Sequence, residues 1–217
     1  MKIKQNIHVR RYCSLLRAIT TVILLIASPF ALAQVNTMEE LQQQLAQHPI
    51  VRGDFEQKRT LAMFDQPLTS TGQFTLDKTH GLLWRQDVPF KVQLVLTKDK
   101  LRQTFADQPA QVITAKDNPM AFYFSHIFLA VFHGDTEQLK QQFDMTFKAD
   151  NGQWTLALTP KATPLNAVFD TITLGGKSDL ERLTLQEIRG DKTDILFSNQ
   201  SYQPESLTDA EQAQFKF

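Results

Sequence analysis

Apolar and polar side chains follow a regular pattern along this chain, and the period of the pattern changes near residue 50. Ahead of that point, Thr37-x-x-Glu40 forms a capping-box pattern at the start of a run with helical spacing. The apolar members of that run are Met38, Leu41 and Leu45. From Val51 onward the period is two, which is typical of strands with one buried face. The pattern therefore predicts one opening helix, ended by His48-Pro49, and then a body made mostly of strands.

The predicted strands are short and follow one another with turns between them. Residues that share a predicted face are Val51, Gly53, Phe55 and Gln57, then Leu68, Gly72, Phe74 and Leu76, then Val92, Leu94 and Leu96. Further runs cover residues 169–174, 180–188 and 194–199, with Gly175-Gly176 and Gly190-Asp191 as predicted turns. Sequential short strands of this kind indicate an antiparallel meander.

One hairpin has a particularly clear signal. Phe143, Met145 and Phe147 lead to Asn151-Gly152, the dipeptide that best fits a two-residue hairpin turn, and Trp154, Leu156 and Leu158 alternate on the return. We expect these two runs to pair directly.

The segment 118–133 interrupts the strand pattern. Asn118 can cap a helix that begins with Pro119, and the residues after it are apolar on almost every face. Such a helix must be covered on all sides, either by the core of the protein or by apolar material that is not protein. A buried core helix and a lid over a lipid pocket both fit the segment.

The first 33 residues have the three parts of an export signal. Five basic residues lead into an apolar run from Ala18 to Ile26, which is too short to span a bilayer, and Ala31-Leu32-Ala33 offers a signal-peptidase site after Pro29. We therefore expect cleavage after Ala33, a location in the periplasm, and one domain over residues 34–217.

The charge and the cysteine content of the chain exclude two classes of protein. The signal holds five of the 23 basic residues and none of the 23 acidic ones, so the body has a net charge of about −5 and lacks the basic footprint of a nucleic-acid binder. The one cysteine, Cys13, lies within the signal, which excludes a disulfide or thiolate-metal scaffold in the body.

The chain offers no convincing catalytic or metal-binding motif, so we expect neither an enzyme nor a bound cofactor or metal. Gly175-Gly176-Lys177-Ser178 resembles the end of a P-loop, but Thr171 stands where that motif needs glycine. His126, His133 and Asp135 match no zinc-binding spacing. There is no Gly-x-Ser-x-Gly nucleophile motif either.

A series of short motifs resembles the LolA family of periplasmic lipoprotein carriers in order and spacing. These are Phe55-Glu56-Gln57-Lys58, Gly72-Gln73-Phe74, Leu83-Trp84 followed by Pro89-Phe90, and Leu158-Thr159-Pro160-Lys161. The resemblance spans roughly residues 37–199. It implies an α+β, mostly β fold: an incomplete, half-open antiparallel barrel whose concave apolar face is covered by helices, with 118–133 among them.

The chain departs from the family pattern at three places. Where the family has an arginine followed by proline that hydrogen-bonds the lid, this chain has Lys78 and Thr79, and lysine lacks the rigid fork of donors of arginine. An aromatic strand of the family is replaced by residues 101–105, and the family's further C-terminal tail is missing beyond Phe217. These departures suggest a paralogue with a different lipid cargo.

The resemblance implies a monomeric carrier that binds acyl chains of lipoproteins, or a related lipid, and ferries them from the inner to the outer membrane. Its partners would be an inner-membrane releasing transporter and an outer-membrane acceptor. An assembly protein that docks an apolar protein segment in the same cleft is the alternative. The expected groove residues are Phe55, Phe74, Trp84, Leu94, Leu96, Phe122, Phe124, Phe128 and Phe132, with Lys78 as a lid latch.

Overall fold

The fold is built on one large antiparallel sheet. The computed structural model describes residues 34–106, 108–114, 116–117, 122, 129–131 and 134–217. In this part of the chain no helix is long and apolar enough to cross a bilayer. The strands are β1 (Ile50–Thr60), β2 (Leu68–Asp77), β3 (Gly81–Val88), β4 (Val92–Leu96), β5 (Lys100–Phe105), β6 (Gln111–Thr114), β7 (Phe143–Asp150), β8 (Gln153–Pro160), β9 (Phe169–Gly176), β10 (Leu180–Glu187) and β11 (Lys192–Ser201).

The order of the strands across the sheet is β6-β5-β4-β3-β2-β1-β11-β10-β9-β8-β7. Two meanders, β1 to β6 and β7 to β11, are therefore joined by the pairing of the first strand with the last. Phe55 pairs with Phe197 in this central ladder. Because β6 and β7 lie at opposite edges, the sheet is not closed, which confirms the predicted mostly β, half-open antiparallel architecture.

The short α-helices whose full extent lies within the described residues are α1 (Met38–Ala46), α2 (Thr136–Gln142) and α3 (Asp209–Gln214). A 3-10 turn at Leu165–Ala167 connects β8 to β9. The predicted capping box of α1 is present, because the Thr37 hydroxyl accepts from the Glu40 backbone N–H and the Glu40 carboxylate accepts from the Thr37 backbone N–H. Of the predicted helix 118–133, Phe122 and residues 129–131 are helical, and the other positions lie outside the described residues.

The predicted hairpin of β7 and β8 is confirmed. Phe147 pairs with Leu156 and Met145 with Leu158, so the apolar residues of the two strands face the same side. Asn151 and Gly152 have φ angles of 50° and 73°. Both angles lie in the left-handed region that a two-residue hairpin turn requires.

The prediction that Gly175-Gly176 forms a turn is wrong. Both glycines belong to β9, where Gly176 pairs with Trp154 and Leu180, and the chain turns at residues 177–179. A Cβ at Gly176 would lie 1.8 Å from the Asp179 backbone oxygen. The glycine therefore permits close approach beside the turn rather than forming it. The predicted turn at Gly190-Asp191 is confirmed.

One face of the sheet carries the hydrophobic core, and we call it the inner face. Alternate residues of the strands point into this core, as the period-two pattern predicts. Helices α1 and α2 add the buried side chains Leu41 and Leu139 to the same cluster, and Ala130 and Val131 join it from the helical residues before α2. The inner face is thus covered by helical segments, and the outer face is the opposite side of the sheet.

The C-terminal segment, residues 202–217, is tied to the outer face. Glu211 of α3 receives two hydrogen bonds of 2.8 Å from the guanidinium of Arg52 on β1. Arg52 also donates to the backbone oxygens of Pro204 and Ser206. At the end of the chain, the Phe217 ring lies 4.9 Å below the Arg102 guanidinium. These contacts fix the last residues across several strands.

Candidate functional site

Four aromatic rings form a cluster at the centre of the inner face. Phe55 stacks on Trp84 with 3.6 Å between ring centroids, and Phe74 meets Phe197 edge to face at 5.2 Å. The Trp84 and Phe197 rings are 6.5 Å apart. The four residues come from the neighbouring strands β3, β2, β1 and β11. The cluster therefore joins the two meanders through side chains as well as through the backbone.

Two glycines make room for these rings. Phe55 pairs with Gly72, so no β2 side chain separates the Phe55 ring from Trp84 on β3. A Cβ at Gly53 would lie 2.8 Å from Cε1 of Phe74, so the Phe74 ring occupies the space above Gly53. The Gly-x-Phe pattern of β1 and β2 thus has a packing reason.

The expected groove residues on the strands lie together. Leu94 pairs with Trp84, and Leu96 pairs with Leu82, so β4 extends the apolar inner face beyond the aromatic cluster. Leu96 is buried, whereas Leu94 is only partly buried at the edge of the core. Phe122 is buried as well. Phe124, Phe128 and Phe132 lie outside the described residues.

Sequence reasoning missed part of this surface. Phe197 belongs to the predicted strand 194–199 but not to the predicted groove residues, although its alternation with Ile195 indicates the same buried face. The inner faces of β8 to β10 also carry buried residues that were not proposed for the groove: Trp154, Leu156, Leu158, Ile172, Leu174, Leu183 and Leu185. The apolar surface therefore continues across both meanders.

Trp154 carries one of two buried side-chain polar atoms that lack a hydrogen-bond partner among the described residues, the other being Oε1 of Gln142. The Trp154 side chain is only 1% exposed, and its indole Nε1 has no acceptor among the described residues. A buried N–H without an acceptor is unfavourable, so this donor marks a place where an oxygen atom would be favoured.

Lys78 lies in the turn between β2 and β3. Its backbone N–H donates to the Pro49 carbonyl at 3.0 Å, which ties this turn to the chain between α1 and β1. Its ammonium has no hydrogen bond or ion pair with a described residue, and partial burial lowers the pKa of the Lys78 side chain. The lysine side chain is thus partly buried, without a charge partner in the described part of the chain.

The outer face differs in character. A cleft of about 450 Å³ lies between α3 and the strands, and polar side chains such as Arg85, Gln93 and Asn199 border it together with Arg52 and Glu211. Within the described ranges, no group of three or more His, Cys, Asp or Glu side chains is placed to hold a metal ion. The cleft on the outer face therefore has a mixed lining, in which Phe74 and Leu83 accompany the polar side chains.

Many solved structures resemble this chain, among them the following three. A LolA superfamily protein from Nitrosomonas europaea has a TM-score of 0.44 at 8% identity, over 80% of this chain and 96% of that one. A protein described as an outer membrane lipoprotein-sorting domain, from Vibrio parahaemolyticus, has a TM-score of 0.47 at 10% identity, over 83% and 98%. The MucA/MucB complex of Pseudomonas aeruginosa gives 0.46 at 14% identity, over 82% and 58%.

Sequence comparison identifies the family directly. No curated protein sequence matches the chain significantly. The profile of the family described as "Outer membrane lipoprotein carrier protein LolA" matches residues 46–217, which include every strand and the C-terminal helix. The resemblance noted in the sequence motifs is thereby confirmed. The chain belongs to the LolA family.

Proposed function

We propose that this protein is a periplasmic carrier that shelters the acyl chains of a lipoprotein, or of a related lipid, between the inner face of the sheet and its helical cover. The observation that supports this most directly is the continuous apolar inner face, covered by short helices rather than by a second sheet. The family's description as an outer membrane lipoprotein carrier agrees with this proposal.

The energetic reason for such a carrier is the insolubility of its cargo. Each methylene kept from water contributes about 0.8 kcal/mol, so a cargo with two or three acyl chains cannot cross an aqueous compartment unaided. The carrier needs to match this burial without greatly exceeding it, because it must also release the cargo. A cover that either packs on the sheet or gives way to acyl chains meets both needs.

The helical cover is held less firmly than the sheet, which favours its displacement by acyl chains. The sheet is held by continuous backbone ladders, whereas α1 packs through a single fully buried side chain, Leu41, with Met38 and Leu45 partly buried. Displacing α1 therefore exposes little apolar area compared with opening the sheet. We expect the helices to move and the strands to stay in place when cargo binds.

The groove we propose is lined by Phe55, Phe74, Trp84, Leu94 and Leu96 from the sheet and by Phe122, Phe124, Phe128 and Phe132 from the segment over it. The indole N–H of Trp154 is available to an ester or amide oxygen of the cargo. This role needs no catalytic residue, metal or cofactor. Loading from an inner-membrane transporter and delivery to an outer-membrane acceptor complete the proposed cycle of a monomer.

Lys78 is the proposed latch of the cover. Its half-buried ammonium has a lowered pKa because it is poorly solvated, so a carbonyl from the covering segment would stabilise its charged form. Lys78→Met should remove the latch and speed dissociation of a bound acyl probe, whereas Lys78→Arg should slow it because arginine offers more donors. Equal dissociation rates for the three proteins would contradict the latch.

The proposed carrier function is tested by looking for lipid bound to the protein. Protein recovered from an export-competent host should release acylated molecules on solvent extraction, detected by mass spectrometry, and the delipidated protein should take up a fluorescent fatty acid. Neither bound lipid nor probe uptake is expected if the cleft docks an apolar protein segment instead.

A matched pair of variants locates the binding. Leu94→Phe adds bulk at the partly buried edge of the inner face and should weaken probe binding several-fold by filling the groove. Val112→Phe makes a similar change at an exposed position on β6 and should leave binding unchanged. Equal loss in both variants would place the probe elsewhere.

A further inference from the structure

Exposed apolar side chains are concentrated at one end of the sheet. Among the described residues, nine large hydrophobic side chains are exposed, and seven of them lie at the end where β1, β3, β5 and β10 finish. We call these seven the apolar rim: Met63, Phe64, Leu68, Val88, Phe90, Phe105 and Ile188. Val112 and Leu196 lie outside this set.

Strand register brings the rim together. Thr60 pairs with Lys192, so the β1–β2 loop lies beside the β10–β11 turn, and the Ala62 backbone N–H donates to the Asp191 carboxylate at 2.8 Å. On the other side, Val88 pairs with Thr71 at the end of β3. The rim thus follows consecutive turns along one edge of the fold.

The rim side chains are apolar and yet largely exposed to water, which is unfavourable unless they contact a partner. Met63 is 80% exposed, Phe90 59% and Ile188 55%, and each projects from a turn rather than from the middle of a strand. Exposed apolar side chains gathered on neighbouring turns favour a site of interaction with a protein or a membrane.

Basic side chains next to the rim favour an anionic lipid surface as its partner. Lys91 directly follows Phe90, and Arg189 directly follows Ile188; both are exposed, and neither forms an ion pair with a described residue. Three of the acidic groups nearby are engaged: Asp191 accepts from Ala62, Glu187 faces Arg59 at 3.8 Å, and Asp87 faces Arg85 at 3.6 Å. Asp65 in the β1–β2 loop and Asp170 at the start of β9 are exposed acids that form no ion pair with a described residue.

We propose that the apolar rim docks on an anionic lipid bilayer, with Phe64, Phe90 and Ile188 entering the interface and Lys91 and Arg189 contacting headgroup phosphates. Side chains on separate turns can enter a fluid interface independently, and none of the seven carries a hydrogen-bonding tip that a protein partner would satisfy. This docking needs no bound cargo, so it stands independently of the function proposed above.

Vesicle flotation tests the proposal. Protein from the soluble fraction of an export-competent host should float with vesicles of phosphatidylethanolamine and phosphatidylglycerol, and less with phosphatidylcholine alone. Phe90→Asp and Ile188→Asp should each lower the partition coefficient about tenfold. Lys91→Glu should lower it about fivefold, and only on anionic vesicles. The control Leu196→Asp, at an exposed position away from the rim, should match the wild type.

A second measurement covers the case in which a rim variant folds poorly. Phe64→Cys and Leu196→Cys, each labelled with an environment-sensitive dye, leave the rest of the rim intact. Anionic vesicles should shift the emission of the Phe64→Cys label to the blue and leave the label at 196 unchanged. No flotation of the wild type, equal loss in Leu196→Asp, or equal dye responses would overturn the proposal and indicate a protein partner or none.

Discussion

Replacing Glu211 by glutamine should loosen the C-terminal segment from the outer face. The Glu211 carboxylate receives two hydrogen bonds from Arg52, one from Thr75 and two from Thr208. Glutamine keeps the shape but removes the charge and turns one acceptor atom into a donor. The free energy of unfolding should therefore fall.

The size of the effect follows from the pKa. The hydrogen bonds from Arg52 lower the pKa of Glu211 from 4.5 to about 2. At about 1.36 kcal/mol for each tenfold change in the acid dissociation constant, the lowering corresponds to at most about 3–4 kcal/mol. Both side chains keep 18% of their surface in water, so we expect a contribution of about 2 kcal/mol.

The pH dependence has a definite sign. Because the pKa is lower in the folded state than in the unfolded state, the contribution is complete above about pH 5 and is lost as the pH falls toward 2. With a contribution of about 2 kcal/mol, the difference in unfolding free energy between the wild type and Glu211→Gln should shrink by about 60% between pH 6 and pH 3.5. Urea denaturation at several pH values measures it.

Two comparisons decide whether the reasoning holds. Glu56→Gln makes the same chemical change in an exposed ion pair with Lys58 and should cost less than about 0.5 kcal/mol. In a double-mutant cycle, Arg52→Gln with Glu211→Gln should cost less than the two single changes added together, by about 1–2 kcal/mol. A pH-independent difference, or equal effects of Glu211→Gln and Glu56→Gln, would refute it.

Three further substitutions test the fold. Gly72→Ala should lower the free energy of unfolding by more than about 3 kcal/mol, because the added Cβ would lie 1.9 Å from the Arg85 backbone oxygen. An unchanged urea midpoint would show that β2 and β3 can move apart to make room. Gly152→Ala should cost about 1 kcal/mol, since its φ is 73°, and thermal unfolding that matches the wild type would argue against a strained turn. Thr37→Ala should lower the free energy of unfolding by about 1 kcal/mol because it removes the N-cap of α1, whereas Thr69→Ala at an exposed position should have little effect. Similar losses in the two variants would show that the cap does not stabilise the fold.

The features that the sequence predicted well depend on neighbouring residues. The capping box at Thr37 and the hairpin turn at Asn151-Gly152 are local signals, and both are present. The period-two pattern placed the strands because a half-buried strand must alternate. Alternation alone does not determine which strands pair, so the sequence predicted a meander of neighbouring strands but not the pairing of β1 with β11.

The features that were missed depend on distant contacts. Thr208-x-x-Glu211 is a second capping box, but α3 has only six residues, and its position depends on Arg52. A helix this short has little stability of its own, so propensity could not predict it. The aromatic cluster was recognised in part, whereas its link through Phe197 required the pairing of β1 with β11.

The pairing of β1 with β11 has a consequence for the order of events during folding. The central ladder joins positions about 140 residues apart, so the two half-sheets cannot merge until the end of the chain is available. Until then the apolar edge of β1 has no β11 partner and is open to misassociation with other chains. We therefore expect newly synthesised molecules to depend on folding helpers until the last strand is in place.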